Sequence, residues 1–159
     1  MSLKFIKTNN QETRKLTSFE NLFYSKFKQF FPLFSNLKVS IDKKSSNVKI
    51  KSSKTDNEIL VWIENDEIGV EIGKWTHTHF NDIDECLLFI KDILDDFIVV
   101  WKVTRPNGYW YSGHYDIRLW QENLDKKDWN YNHIDEPDSL LDSDDKIHRF
   151  TFNKILEDS

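Results

Sequence analysis

Two imidazoles stand two residues apart in the octapeptide GKWTHTHF, residues 73–80, at His77 and His79. On an extended chain, side chains at i and i+2 leave the same face about 6.5–7 Å apart at the α-carbon, so both rings can reach one cation. The chemistry that follows is a metal-dependent enzyme with His77 and His79 as ligands to Zn or Mn. Such a site needs a third donor, and the sequence offers Asp82, Asp84, Glu85 and His114. Asp82 has a competing duty, because Asp82-x-x-Glu85 ahead of an apolar stripe marks a helix N-cap.

Established HxH patterns differ from this one. A cupin places Glu after three or four intervening residues and then Gly, where this chain has Ile83 and Asp84 and no nearby glycine. A metallo-β-lactamase-like hydrolase reads HxHxDH, against HTHFND here, and the amidohydrolase barrel is longer than all 159 residues. Strand parity supplies the rival reading. Ile68, Val70 and Ile72 are core-facing, so an unbroken strand sends Trp75, His77 and His79 outward beside Glu67 and Glu71 as a recognition strip, whereas a bulge at Gly73 turns Trp75 inward.

Further aromatic groups gather around Asn107-Gly108, a strong hairpin signal: Trp101, Tyr109, Trp110, Tyr111, His114 and Tyr115. A two-residue turn there pairs Trp101 with His114. Trp75, His77, His79, Trp110, Tyr111 and His114 are accordingly the candidate partner-binding residues. Lys38, Lys43, Lys44, Lys49, Lys51 and Lys54 outline a single-strand nucleic-acid binder across hairpin 38–54, opposed by an acidic net charge of −5. No catalytic residue is assigned: Cys86 sits on an apolar helical stripe, where a buried thiol is inert, and no serine lies in a nucleophile elbow.

The elements that position these groups are legible from periodicity. Thr17-Ser18-Phe19-Glu20 is a capping box that starts a helix carrying Phe19, Leu22, Phe23, Phe27, Phe30 and Phe31 into the core, ended by Pro32. Period two then takes over at Leu37–Ile41, Val48–Ile50, Ile59–Ile63 and Ile68–Ile72, four antiparallel strands in meander order. Ile83, Cys86, Leu87, Ile90, Ile93, Leu94 and Phe97 make the second amphipathic helix. Strands follow at Ile98–Arg105, Tyr109 to about Leu119 and Ile147–Phe152. Between them, Glu122 to Asp145 holds nine Asp+Glu against two Lys and reads as an acidic, irregular, mobile segment.

Composition bounds the rest. At 159 residues with 38% hydrophobic content, residues 1–159 make one domain. A single cysteine forbids an internal disulfide framework, and neither a signal-type apolar run nor a membrane span is visible, which predicts a cytoplasmic protein with no membrane partner. Residues 1–54 hold 12 Lys+Arg against 3 Asp+Glu, leaving 10 against 24 for the remainder.

Residues 58–115, through IGVEIGKWTHTHFNDIDECLLFIKDILDDFIVVW, resemble small bacterial proteins with a W-x-H-x-H-F strand-to-helix segment and are similar to α+β toxin-immunity proteins. That resemblance implies a non-catalytic antidote without cofactor, acting by surface complementarity on a protein partner such as a basic toxin. The acidic segment suits that partner; the Lys-rich first third departs from it. The expected architecture is α+β: a single antiparallel sheet of six to seven strands with two helices on its apolar face.

Overall fold

The computed structural model describes residues 15–31, 37–118 and 143–158. Helix α1 (Ser18–Phe30) begins where Thr17 Oγ1 accepts the Glu20 N–H at 3.1 Å. The Glu20 carboxylate reaches further and accepts the Ser46 hydroxyl at 2.7 Å, fastening the helix start to a buried strand turn. Phe23, Tyr24 and Phe27 form its buried stripe. Leu22 and Phe30, expected in the core, are exposed (49% and 39%), because α1 meets the sheet along only one narrow row of side chains.

Strands β1 (Lys38–Asp42), β2 (Asn47–Lys51), β3 (Glu58–Glu64) and β4 (Glu67–Ile72) form the expected antiparallel meander. Asn65 and Asp66 both take positive φ (50° and 59°), the two-residue hairpin geometry that matches strand twist. The meander does not stop there. Gly73 and Lys74, at φ 60° and 65°, reverse the chain, so β5 (Thr76–Phe80) pairs back onto β4 and the octapeptide is a hairpin of its own rather than a strand end.

Helix α2 (Ile83–Leu94) is capped by Asp82, whose Oδ1 accepts the Glu85 N–H at 3.0 Å, and buries Ile83, Cys86, Leu87, Ile90 and Ile93 as its spacing predicts. Its end is closed by Phe97 N–H to Asp92 O at 2.9 Å and Asp96 N–H to Ile93 O at 3.1 Å, with Asp96 at φ 62° in the left-handed position usually given to glycine.

A single sheet is not what forms. Strands β6 (Ile98–Thr104), β7 (Trp110–Asp116), β8 (Lys146–Phe150) and β9 (Ile155–Asp158) build a second antiparallel sheet in the order β7-β6-β8-β9, beside a five-stranded sheet in the order β1-β2-β3-β4-β5. The expected last strand ends at Phe150, and the chain turns to add β9. The β6–β7 register also departs from expectation: Trp101 faces Gly113, and His114 faces Val100. Pro106 sets the turn one residue earlier, with Gly108 N–H to Arg105 O at 2.9 Å and Gly108 at φ 87°, and a one-residue slip moves every side chain to the other face. Residues 122–142 of the acidic segment lie outside the described residues.

One core fills the space between the helices and the sheets: Val48, Ile50, Ile59, Val61, Ile68 and Val70 of the first sheet pack with α1, α2, and Ile98, Val100 and Phe152 of the second. A smaller cluster of Trp101, Val103 and Ile147, with Tyr111 and Tyr115 against it, occupies the other face of the second sheet. No described helix is long and apolar enough to cross a membrane.

Candidate interaction surface

Both helices sit on the inner face of the five-stranded sheet, so the register decides what its outer face shows. Trp62 lies opposite Gly69, and Gly69 opposite His79; Leu60 lies opposite Glu71, and Glu71 opposite His77. Cross-strand partners share a face, so Trp62, His77 and His79 stand together on the outside. Gly69 makes their packing possible. A β-carbon there would overlap Cε2 and Cζ2 of the Trp62 indole, so the ring lies flat across the glycine backbone.

The two imidazoles pack against that indole and each other. The His79 and Trp62 rings are edge to face at 5.8 Å, His77 stands 6.3 Å from Trp62, and the two histidines meet edge to face at 5.2 Å. Glu67 Oε1 lies 2.6 Å from His79 Nδ1, so a neutral ring donates its Nδ1–H there and keeps Nε2 as an outward acceptor. Trp62, Glu64, Asn65, Glu67 and His79 line a shallow depression of about 210 Å³. Its aromatic floor and carboxylate rim have the chemistry that receives a guanidinium or ammonium group.

Three of the four donors proposed to complete a metal site with His77 and His79 are engaged elsewhere. Asp82 caps α2, Asp84 Oδ1 takes Lys26 Nζ at 3.0 Å, and His114 belongs to the second sheet. Among the described residues no group of three His, Cys, Asp or Glu side chains gathers as a metal centre requires.

The other sequence candidates fall into separate places. Trp75 follows the Gly73-Lys74 turn and points toward the second sheet, where its ring meets Trp110 edge to face at 5.4 Å. Lys102 Nζ lies 3.9 Å from the centre of the Trp75 ring and 5.4 Å from that of Trp110. Ser112 Oγ donates to the Trp75 carbonyl, and His114 Nδ1 lies 2.8 Å from Thr76 Oγ1 with its ring against Phe89, so β7 is stitched to β5 through side chains. Tyr111 packs on Trp101 beside Arg105, on the opposite face of the second sheet. The six candidates therefore do not make one strip: His77 and His79 share a surface, Trp75 meets Trp110 on the face of β7 that also carries His114 toward Thr76 and Phe89, and Tyr111 lies on the opposite face.

Trp62, Gly69 and Lys102 were not singled out from sequence. A signal existed for the first two: Ile59, Val61 and Ile63 point inward, which puts Trp62 outward, and a lone glycine in a strand marks a close approach. The thiol of Cys86 is pushed up to about 12 by burial, in keeping with an inert core cysteine. No protein-family model matches this chain, and neither do the curated proteins or the solved structures compared with it.

Proposed function

We propose that this is a non-catalytic binding protein, toxin-immunity-like in action, that docks a basic protein partner on the outer face of its five-stranded sheet. One observation carries the reading: the Trp62 indole, held flat on Gly69, forms the floor of a depression rimmed by Glu64, Glu67 and His79 on a face that neither helix covers. A tryptophan that is already immobilised loses little side-chain entropy on binding, and aromatic anchors with charged rims are the usual anatomy of contact surfaces.

Charge favours a protein over a nucleic acid. Lys38, Lys49 and Lys51 occupy one side of this face, but Glu58, Glu64, Glu67 and Glu71 occupy the adjoining strands, and that block of carboxylates opposes a phosphate track across the face. The same carboxylates steer a basic partner. The test is retention of a partner from the native host on immobilised protein, with Trp62→Ala and Glu67→Gln beside Lys91→Ala on α2 as the control. The reading requires a basic protein held by wild type and Lys91→Ala and lost by Trp62→Ala. Equal retention by all four proteins, or a retained partner whose activity is untouched by binding, ends it.

A further inference from the structure

A second recess lies between the sheets, about 360 Å³ in volume, with Trp75 on one side and Lys102, His148, Phe150 and Ile155 on the other. Its walls come from distant parts of the chain yet are tied together. Thr55 Oγ1 donates to Phe152 O at 2.7 Å and Asn57 Nδ2 to Thr151 O at 3.2 Å, which locks the β2–β3 loop to the β8–β9 turn. The recess is thus held open by hydrogen bonds that cross between the sheets, as a largely pre-formed ligand site is.

Its chemistry is lopsided. Lys102 is half-buried and rests on two indole faces, but among the described residues it forms no ion pair with a carboxylate. Ring quadrupoles offset only part of the cost of desolvating an ammonium, so an incoming anion gains a charge-assisted hydrogen bond at that atom. His148, the cross-strand neighbour of Lys102, brings an imidazole to the same face. Trp75, Phe150 and Ile155 supply apolar wall, and Arg149 and Asp56, which also line the recess, carry opposite charges that leave about one net positive charge, that of Lys102, to suit a monoanion.

We infer that this recess binds a single carboxylate carried on an apolar or aromatic body, with the carboxylate on Lys102 and the body between Trp75 and Phe150. The shared chemistry has two sources, a free organic acid or the C-terminus of a peptide, and the probes separate them: 3-phenylpropionate against 3-phenylpropionamide, and Gly-Gly-Phe against its C-terminal amide. Binding is followed by amide and indole N–H shifts of the folded, full-length protein. At least one acid is expected to bind about tenfold more tightly than its amide, as a charge-assisted contact demands. The shifts should centre on Trp75, Lys102 and the residues around Phe150.

Lys102→Met should lose about the same tenfold, while Trp62→Ala, on the other surface, should bind as wild type, so this site and the proposed docking face fail independently. Response to the small acid alone assigns a metabolite-like ligand, and response to the peptide alone assigns a chain terminus. Equal binding of acid and amide on both scaffolds, shifts centred away from Trp75, or no response below about 10 mM, a ligand too weak for specific recognition, would overturn the assignment. The acid–amide comparison uses wild-type protein, so misfolding of a variant cannot obscure it.

Discussion

At the residue scale the outer surface turns on one pair, Trp62 and Gly69. Any β-carbon at position 69 takes the space of the indole, and the ring, being the end of a movable side chain, is what gives way. Gly69→Ala should therefore leave stability within about 1 kcal/mol of wild type, since alanine is the better strand residue, yet free Trp62 and cost partner affinity as much as Trp62→Ala does. Tryptophan emission, thermal melting and partner titration on the same variant check this; a variant that binds normally with an unmoved emission maximum refutes it. The imidazoles make a separate prediction. With His79 Nδ1 engaged by Glu67 and no third donor among the described residues, Zn²⁺ or Mn²⁺ should not raise the melting temperature, because only ligands bound to the native state stabilise it. A rise that scales with metal concentration and vanishes in His77→Ala would restore the metalloenzyme reading.

At the element scale, α2 is where sequence and structure agree most closely. Six of the seven apolar positions expected at helical spacing fall in α2 and five of them are buried, and its cap is written as Asp82-x-x-Glu85, so start and face could be read locally; Phe97, the seventh, lies past the helix end, where its N–H closes onto Asp92 O. Cys86 lies in that buried row, and desolvation alone pushes its thiol from 9.0 to about 12. A raised acid constant means the folded chain keeps a proton that the unfolded chain gives up. The stabilising contribution is whole below pH 9 and is lost as pH climbs from 9 toward 12. At pH 8 the native thiol should react with a dithiobis-nitrobenzoate reagent about a thousandfold more slowly than in denaturant, since only about one part in ten thousand is thiolate. Full labelling within minutes in native buffer would show that the helix face is open.

The strands were less legible for identifiable reasons. The meander β1–β4 follows from period two, but the β4–β5 turn uses Lys74 at φ 65°, a residue type that signals no turn. Pro106 moved the β6–β7 register by one, which took His114 from the face of Trp101 to the inner face and so dismantled the expected aromatic strip. Division into two sheets had no local signature at all, because it depends on β6 choosing β8, far along the chain, over β5. Of the two orientations the sequence leaves open for His77 and His79, the hairpin gives the outward one, since it keeps the parity of an unbroken strand.

At the scale of the whole molecule the question is what makes two sheets and two helices behave as one body. Asn153 answers much of it. From the β8–β9 turn its Oδ1 accepts Ser52 Oγ–H at 3.0 Å, reaching the first sheet, while its Nδ2 donates to Leu94 O and Asp96 Oδ1, each at 3.2 Å, holding the end of α2. Its backbone N–H adds a bond to Asp96 Oδ1 at 2.9 Å, which is why an aspartate serves at a left-handed position where glycine would be easier. Asn153→Ala removes three half-buried side-chain bonds and should cost about 2 kcal/mol, or about 4–8 °C in melting temperature for a chain of this size. Asp96→Gly trades backbone ease against the same junction, so the two changes should be less than additive by about 1 kcal/mol in a double-mutant cycle. Melting followed by far-ultraviolet circular dichroism and by tryptophan emission gives both numbers. Strict additivity, or a melting temperature unmoved by Asn153→Ala, would mean that Asn153 is not the junction and that the shared core of Ile98, Val100 and Phe152 holds the sheets together with the Thr55 and Asn57 bonds.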